Sequence, residues 1–285
     1  MLDAELLGSW TLGVGSWEFA ARYNRAQMTI LITGASSGIG LELARICASH
    51  RHDVVLVARR RDALAALAQE VEALGVRAHV IPIDLSAPGA AASVAAQVSQ
   101  LGLQIEGLVN NAGYGLFGPF VETSLDEELA MMQVNIVALT ELTKRLLPAM
   151  VARRSGRIMN LASTAAFVPG PLMAVYYASK AYVLSFSEAL AEELRDSGVT
   201  VTALCPGPTA SGFQAAARNE ESKLVAGKKL PTSREVAEAG YRAMMAGKQV
   251  EIPGLTNKVV AFIPRIFPRR AVPPVVRRSQ ERRGA

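Results

Sequence analysis

Short, uniformly apolar segments alternate with longer amphipathic stretches along most of the chain. Between the apolar segments, hydrophobic residues recur at helical spacing, as in Leu41, Ala44 and Ile46 after the first of them. Strands that are apolar throughout are typical of a parallel sheet covered on both faces. The pattern therefore predicts an α/β fold with one doubly wound parallel sheet and helices on both faces. The predicted strands are 28–33, 53–58, 79–83, 107–109, 157–161 and 199–205.

A glycine-rich turn connects the first predicted strand to the first predicted helix. Glycines allow a tight turn and let the backbone approach a pyrophosphate, while the helix N-terminus offers free N–H groups to an anion. A lone glycine pattern is often only a turn, but the strand before it and the helix after it favour dinucleotide binding. The predicted cofactor contacts in this turn are Gly34, Ser36, Ser37, Gly38, Ile39 and Gly40.

Tyr176 and Lys180 lie four residues apart in a predicted helix. This spacing puts both side chains on one face, so the ammonium can stabilise a phenolate and let the tyrosine exchange a proton near neutral pH. Tyr177 is out of register, because the residue four positions on is Ala181. Spacing alone is more typical of the boundary between the apolar and polar faces of a helix, so the interpretation depends on the other motifs.

Ser163, thirteen positions before Tyr176, and the glycine-rich turn after Thr33 complete a set of motifs that resembles the short-chain dehydrogenase/reductase family. The family signature is Tyr-x-x-x-Lys preceded by such a serine, and the Asn-Asn-Ala-Gly sequence at 110–113 matches a further family motif. The resemblance extends from about residue 28 to residue 254. It implies a Rossmann-type fold and an enzyme that transfers a hydride between a nicotinamide cofactor and a carbonyl or alcohol substrate.

The resemblance also implies the catalytic roles. Ser163 orients and polarises the substrate carbonyl, Tyr176 is the general acid/base, and Lys180 lowers the pKa of Tyr176 and binds the nicotinamide ribose. Asn135 lies in the apolar stretch 131–147, where a buried amide is costly unless it is hydrogen-bonded. In the family, the corresponding asparagine holds a water molecule in a proton relay to the lysine.

Further cofactor contacts follow from the resemblance, in addition to those of Tyr176 and Lys180. Asp84 resembles an adenine-contacting acid, although a helix cap before Ser86 explains it equally well. Without the family, the other segments would be ordinary turns. The residues implied are Asp84, Leu85, Asn111, Ala112, Gly113, Pro206, Gly207 and Thr209.

The second predicted strand is followed by three arginines, Arg59, Arg60 and Arg61. A site for an unphosphorylated adenosine ribose has Asp or Glu at this position, whereas a site for the 2′-phosphate has arginine. No carboxylate is present here, and Arg59 can form paired, charge-assisted hydrogen bonds with a phosphate. We therefore predict NADP(H) as the cofactor, with Arg59 as the phosphate partner. One or two of these arginines can equally be a solvated helix start.

With 285 residues, half of them hydrophobic, the chain can build one large α/β core. Its two cysteines, Cys47 and Cys205, show neither metal-ligand spacing nor a disulfide framework, which suits a reducing cytosol. We therefore predict a cytoplasmic protein. Because no cluster of Cys, His and Asp appears in the sequence, we predict no metal site.

The two ends depart from the family pattern, and we divide the chain into an N-terminal extension (1–27), a catalytic domain (28–254) and a C-terminal tail (255–285). The extension lacks the pattern of a signal peptide; a docking helix, disorder or the product of an upstream start codon remain open. The tail has eight cationic residues against the single acid Glu281. It is interleaved with apolar residues, and two explanations stay open: weak contact with an anionic membrane surface, or packing on its own or a neighbouring subunit. We predict no nucleic-acid binding.

The substrate-binding segments are expected at 115–120, 167–173 and 210–230, and the apolar character of the first two favours a lipophilic carbonyl compound. We also predict a homodimer or homotetramer, because the helix that carries Tyr176 and Lys180 is apolar on more than one face. A non-catalytic nucleotide-binding sensor or scaffold on the same fold is the alternative function. The presence of all four residues of the catalytic set favours the enzyme.

Overall fold

A computed structural model describes residues 27–227 and 229–281, and it contains a seven-stranded, fully parallel sheet. The strand order is β3-β2-β1-β4-β5-β6-β7, which confirms the predicted doubly wound fold. Each predicted strand is present with its ends shifted by at most one residue, and the short β7 is an addition. The strands are β1 (Thr29–Thr33), β2 (Asp53–Ala58), β3 (Ala78–Pro82), β4 (Gly107–Asn110), β5 (Gly156–Leu161), β6 (Val199–Leu204) and β7 (Val250–Glu251).

Helices connect the strands and continue after the last one. The π-helical segment Gln133–Ala138 joins α4 to α5, so that 125–152 is one continuous helical run. Short 3₁₀ turns occupy Thr164–Phe167, Ile263–Arg265 and Arg269–Ala271. The helices are α1 (Gly38–Ser49), α2 (Arg61–Glu72), α3 (Ala90–Gln100), α4 (Leu125–Met132), α5 (Leu139–Ala152), α6 (Ala174–Glu193), α7 (Phe213–Ala217), α8 (Ser233–Met245), α9 (Leu255–Phe262) and α10 (Val272–Gln280).

The core consists of one apolar layer on each face of the sheet. Successive side chains of a strand point to opposite faces, so Ile30 and Ile32 of β1 pack with α1, α2 and α8, whereas Leu31 packs with α3, α5 and α6. Each fully buried aliphatic side chain of this kind stabilises the fold by about 1.5–3 kcal/mol. The uniform apolarity of the strands is therefore explained by burial on both faces.

The strand order reverses between β1 and β4. After β3, the chain crosses over the sheet and adds β4 on the other side of β1. Helices from the carboxyl ends of these two strands leave in opposite directions, which opens a crevice at the point where open α/β sheets bind ligands. The glycine-rich turn and the Asn-Asn-Ala-Gly segment lie at this crevice, directly after β1 and β4.

The described part of the C-terminal tail packs against the catalytic domain at two places. Ala261 of α9 and Gln280 at the end of α10 are both buried. None of the helices within 27–227 and 229–281 is long and apolar enough to cross a bilayer. Residues 1–26, most of the predicted N-terminal extension, lie outside the described residues, as do Arg282 and Arg283 of the tail.

Candidate active site

The glycine-rich turn forms a cradle that side chains would fill. A Cβ atom on Gly40 would lie 2.5 Å from the carbonyl oxygen of Gly34, and Gly34 itself has a φ of +68°. At Gly38, by contrast, the nearest heavy atom to such a Cβ would be 3.5 Å away. The side chain of Ser37, the N-cap of α1, makes no capping hydrogen bond. The Ser37 side chain therefore does not occupy the N–H groups of the first turn, and this arrangement fits the pyrophosphate of a dinucleotide.

Two residues hold this cradle against β4. The backbone N–H groups of Asn111 and Ala112 donate to Thr33 Oγ1 over 3.0 and 2.9 Å, and Asn111 Nδ2 donates to the Thr33 carbonyl over 2.8 Å. The sequence analysis treated Thr33 only as the residue before the turn. Its role as a double acceptor required knowing that β1 and β4 are neighbours, which the chain order does not state.

The arginines after β2 lie beside the cradle. Arg60 Nη2 donates to the backbone oxygen of Ser36 over 2.8 Å. Arg59 extends into solvent, where its Nη1 lies 4.0 Å from Asp84 Oδ2. Asp84 Oδ1 accepts hydrogen bonds from the backbone and the hydroxyl of Ser86 within a turn. It does not cap a helix, because α3 begins at Ala90 with Gly89 as its N-cap. Arg60, which the sequence analysis did not select, is thus the arginine that contacts the glycine-rich turn directly.

Ser163, Tyr176 and Lys180 line a single open cleft of about 760 Å³. Ser163 follows β5, and its hydroxyl accepts from Ala165 N over 3.1 Å and donates to the Pro206 carbonyl over 3.3 Å. These contacts fix the serine side chain, which lies close enough to Tyr176 to oppose the rise of its pKa. The other predicted cofactor residues that line the cleft are Ile39, Asn111, Gly113, Pro206, Gly207 and Thr209.

Burial shifts the pKa of Tyr176 and of Lys180, two of the titratable groups in the cleft. It raises the pKa of Tyr176, and the nearby Ser163 hydroxyl opposes this shift. Burial lowers the pKa of Lys180 to about 8. The Lys180 amine donates to the Leu161 carbonyl over 2.7 Å and lies 5.8 Å from the centre of the Tyr176 ring. Lys180 is therefore held near the phenol, on the shared helix face that the spacing predicts.

Asn135 lies in the π-helical segment, which turns its side chain into the site. Its Oδ1 accepts from Tyr114 N over 3.1 Å, and its Nδ2 donates to the Tyr114 carbonyl over 2.9 Å and to Ser179 Oγ over 3.0 Å. A Cβ atom on Gly113 would lie 2.9 Å from Asn135 Oδ1 and 3.4 Å from Lys180 Nζ. Asn135 and Lys180 therefore both lie beside Gly113.

Buried polar residues that the sequence analysis missed connect the site to the sheet. Ser179 accepts from Asn135 and donates to the Tyr176 carbonyl over 2.7 Å. Behind it, Asn110 Nδ2 donates to Asn160 Oδ1, and Asn160 Nδ2 donates to Ser187 Oγ, each over 2.9 Å. The available signal was a set of polar residues at strand ends and within an otherwise apolar helix.

The substrate end of the cleft combines apolar and polar walls. Met173, Phe213 and Leu224 are among its apolar residues, and they belong to two of the three predicted segments. The segment 115–120 packs behind them, since a Cβ atom on Gly115 would lie 2.8 Å from Met173 Cε and 3.0 Å from Phe213 Cζ. The polar side chains Gln214, Asn219 and Gln280 also line the cleft, and the last of them belongs to the C-terminal tail.

Comparison with known proteins agrees with this geometry. A family model described as short chain dehydrogenase matches residues 28–222. The ketoacyl reductase HetN from Nostoc sp. is 36% identical over 217 residues, which cover 76% of this chain and 75% of that protein. The family match over residues 28–222 thus includes the glycine-rich turn, the Tyr-x-x-x-Lys helix and part of the substrate end of the cleft.

Solved structures extend the similarity to three dimensions. A short-chain dehydrogenase from Sphingobium yanoikuyae in complex with NADPH has a TM-score of 0.74 and 33% identity, covering 80% of this chain and 88% of that one. The bulky-bulky ketone specific alcohol dehydrogenase from Comamonas testosteroni has a TM-score of 0.72 and 28% identity, covering 86% and 96% of the two chains. Sequence, strand order and cleft agree, and this protein belongs to the short-chain dehydrogenase family of oxidoreductases.

Proposed function

We propose that this oxidoreductase reduces a ketone or aldehyde with NADPH, and in reverse oxidises the corresponding alcohol. The observation that carries the proposal is the position of Ser163, Tyr176 and Lys180, which all line one cleft. A phenol and a hydroxyl that point at one place can both bind a carbonyl oxygen. The same cleft leads to the open N-terminus of α1, so one molecule could reach both.

The residues of the cleft have different roles in the proposed reaction. The cofactor, when bound, supplies the hydride that the carbonyl carbon receives. Ser163 Oγ donates to the carbonyl oxygen and holds it in place, while Tyr176 donates its proton to that oxygen as negative charge develops there. The Lys180 ammonium stabilises the resulting phenolate. Asn135 and Gly113 border the path by which a water molecule returns a proton through Lys180.

The preference for NADPH over NADH rests on the charge around the adenosine end of the crevice. Arg59 and Arg60 both follow β2, where a carboxylate would otherwise bind the ribose hydroxyl. Arg60 is anchored on Ser36, and Arg59 lies at the surface close to Asp84. A similar solved structure was described with NADPH, which supports the same choice here.

A lipophilic carbonyl compound suits the apolar walls of the cleft. Met173 and Phe213 border the space in front of Tyr176, and Tyr176 and Phe213 have ring centroids 5.2 Å apart. One relative is named for ketoacyl reduction and one similar structure for bulky ketones, and both substrate types are consistent with such a cleft.

A panel of carbonyl compounds tests the proposed activity directly. Consumption of NADPH, followed by its absorbance, is expected with long-chain and aromatic ketones and to a smaller extent with short aldehydes. The Tyr176→Phe variant is the matched control for non-enzymatic loss. Absence of turnover across the panel, together with tight NADPH binding, would refute the reductase and favour the nucleotide-binding sensor.

We further propose that two subunits pair through the helical run 125–152 and α6. Large apolar side chains are exposed along this surface, and Tyr182 of α6 stacks on Phe186 beside them. Soluble monomers seldom expose such a continuous patch. The exposed residues are Leu125, Leu129, Met132, Val137 and Tyr182. Light scattering is expected to give a dimer or tetramer, and Leu129→Lys should reduce its mass; a monomeric native protein would contradict this pairing.

We propose weak contact between the tail and an anionic membrane surface, because α9 and the turns after it expose apolar and cationic side chains together. Val259, Phe262 and Phe267 are exposed, as are Arg269 and Arg270. Apolar side chains at the headgroup boundary and cations near anionic lipids are the two contributions to such binding. Sedimentation with phosphatidylserine vesicles should exceed sedimentation with phosphatidylcholine vesicles, and Phe262→Asp should remove the difference. Equal sedimentation with both lipids would contradict the proposal.

The buried free cysteines Cys47 and Cys205 suit a reducing compartment such as the cytoplasm.

A further inference from the structure

The end of α10 forms a wall of the catalytic cleft. Gln280 is 1% exposed and lines the same cleft as Ser163 and Tyr176. Its Nε2 donates a hydrogen bond to the hydroxyl of Tyr177, the residue next to the proposed acid. Val276, one turn earlier, packs on the apolar cluster that contains Tyr176 and Tyr177. The tail is therefore part of the cleft, and Tyr177 anchors it.

One backbone hydrogen bond and one salt bridge hold this wall against the segment that follows α7. Lys223 N donates to the Glu281 carbonyl over 2.9 Å, and Lys223 Nζ lies 3.2 Å from Glu281 Oε2. Asn219, four residues before Lys223, also lines the cleft and is buried. The wall and the segment thus bring two carboxamide side chains, those of Gln280 and Asn219, to the substrate end of one cleft.

Each of these carboxamides has an atom without a hydrogen-bond partner. Within the described ranges, Gln280 Oε1 and Asn219 Oδ1 are buried and unpartnered, and Asn219 Nδ2 makes only a weak 3.7 Å contact with Met173 Sδ. Exchanging the oxygen and nitrogen of either amide would leave its other atom unpartnered instead. Buried polar atoms of this kind are uncommon, because each costs the hydration that it has lost. A ligand group that forms a hydrogen bond with such an atom would replace the lost hydration.

The charge of the cleft restricts which group this is. Among the cleft-lining residues in the described part of the chain, Lys180 is the one charged side chain, and it belongs to the catalytic group. A carboxylate or phosphate at the far end would have no cation to pair with, so its desolvation would be uncompensated. A neutral group that both donates and accepts, such as a hydroxyl or an amide, matches the carboxamides.

We propose that Gln280 and Asn219 form a polar subsite that binds a hydroxyl or amide group at the far end of the carbonyl substrate. This inference rests on the reductase proposed above and names its substrate class: carbonyl compounds with an apolar middle and a second, neutral polar group. Tyr177 is a positioning residue, because it acts by holding Gln280.

Pairs of substrates that differ by one hydroxyl test the subsite. The probes are 2-alkanones from hexanone to dodecanone and the same ketones with a terminal hydroxyl, each assayed for kcat/KM with NADPH. The native protein should prefer the hydroxylated member at one chain length by about tenfold, the effect of one well-formed hydrogen bond. Gln280→Leu and Asn219→Leu should each remove most of this preference, and Tyr177→Phe should weaken it.

The control on the same helix is Ser279→Ala, whose hydroxyl only contacts the Val276 carbonyl and which should keep the native preference. Thermal unfolding of every variant separates lost selectivity from lost folding, and Gln280→Met replaces Gln280→Leu if the latter unfolds. A native protein without preference at any chain length, or variants that affect both members of a pair equally, would overturn the subsite.

Calorimetric binding of the same pairs to the NADPH complex of Tyr176→Phe distinguishes this proposal from the proposed function. Binding to this variant is measured without turnover. A hydroxyl preference in binding that Gln280→Leu abolishes would therefore support the subsite even if no ketone is reduced. Reduction without any hydroxyl preference would support the reductase and refute the subsite.

Discussion

The cofactor half and the substrate half of the cleft are built in different ways. The cofactor half is closely packed around Gly34, Gly40, Thr33 and Asn111. A Cβ atom added to Gly40 would lie 2.4 Å from Asn111 Nδ2 and 2.5 Å from the Gly34 carbonyl oxygen. At the substrate half, within the described residues, the carboxamides of Gln280 and Asn219 keep buried atoms without hydrogen-bond partners. The backbone of the cofactor half is thus held by close packing, whereas the substrate half keeps polar side-chain atoms that a ligand can contact.

The largest effect is expected where the two halves meet. Tyr176→Phe removes the proton donor and should lower kcat by about a thousandfold, within the range of general acid catalysis. NADPH affinity should stay close to that of the native protein, because the ring is retained. Steady-state kinetics and nucleotide titration measure the two effects. Tyr177→Phe is the matched control, and equal loss in both variants would show that the assignment of the acid is wrong.

A glycine substitution in the cofactor half and one at the exposed start of α7 should give different results. Gly40→Ala forces a Cβ against the Gly34 carbonyl, and overpacking of this kind costs about 1–3 kcal/mol. Nucleotide affinity should therefore fall by about ten- to a hundredfold. Gly212→Ala, with a φ of −69° and open space around it, should leave nucleotide affinity unchanged. If the two variants bound NADPH equally well, the close packing at Gly40 would not be needed for nucleotide binding.

Charge reversal at the adenosine end should change cofactor choice by about tenfold, as expected for loss of a charge-assisted hydrogen bond. Arg59→Asp replaces a phosphate partner with a repelling carboxylate and should make NADH bind more tightly than NADPH. Arg60→Asp also releases the contact with Ser36, so it should weaken both nucleotides. Titrations of both nucleotides into both variants measure this difference. Equal affinity of the native protein for NADH and NADPH would contradict the role of Arg59.

The smallest expected effect is on stability and depends on pH. Burial lowers the pKa of Lys180 from 10.5 to about 8, so above pH 8 the folded protein loses this proton while the unfolded chain still holds it. Stability then rises with pH by about 1 kcal/mol per pH unit between pH 8 and 10. Below pH 8 this contribution is constant. Denaturant unfolding of native protein and Lys180→Met measures the difference, and a flat difference across this range would contradict the shift.

The cofactor half could be predicted from sequence because its signals are local. Each of its motifs lies within a few residues of the chain: the turn after β1, the arginines after β2 and the Tyr-x-x-x-Lys spacing. The strand ends could be predicted because the strand segments are mostly apolar. Among adjacent arginines, however, sequence alone could not tell which one reaches Ser36, because that depends on the path of the chain after β2.

The substrate half could not be predicted in the same way. Its walls combine Asn219, Tyr177 and Gln280, which no periodicity relates to one another. The charge and apolar pattern of the tail left membrane contact and packing on a subunit both open, and the structure has Phe262 and Phe267 exposed but Gln280 buried. Nothing local indicated that Gln280 would be buried, because its burial results from a contact with a helix that begins about a hundred positions earlier.

The hydrogen bond between Tyr177 and Gln280 spans 103 positions of the chain. On the ribosome, the sheet and the catalytic tyrosine are therefore synthesised well before the residue that closes their cleft. Domains generally fold as units, from the N-terminus, during synthesis. A nascent chain that has folded through β7 could already hold its nucleotide, but its selectivity for substrate would be acquired last, when α10 has left the exit tunnel.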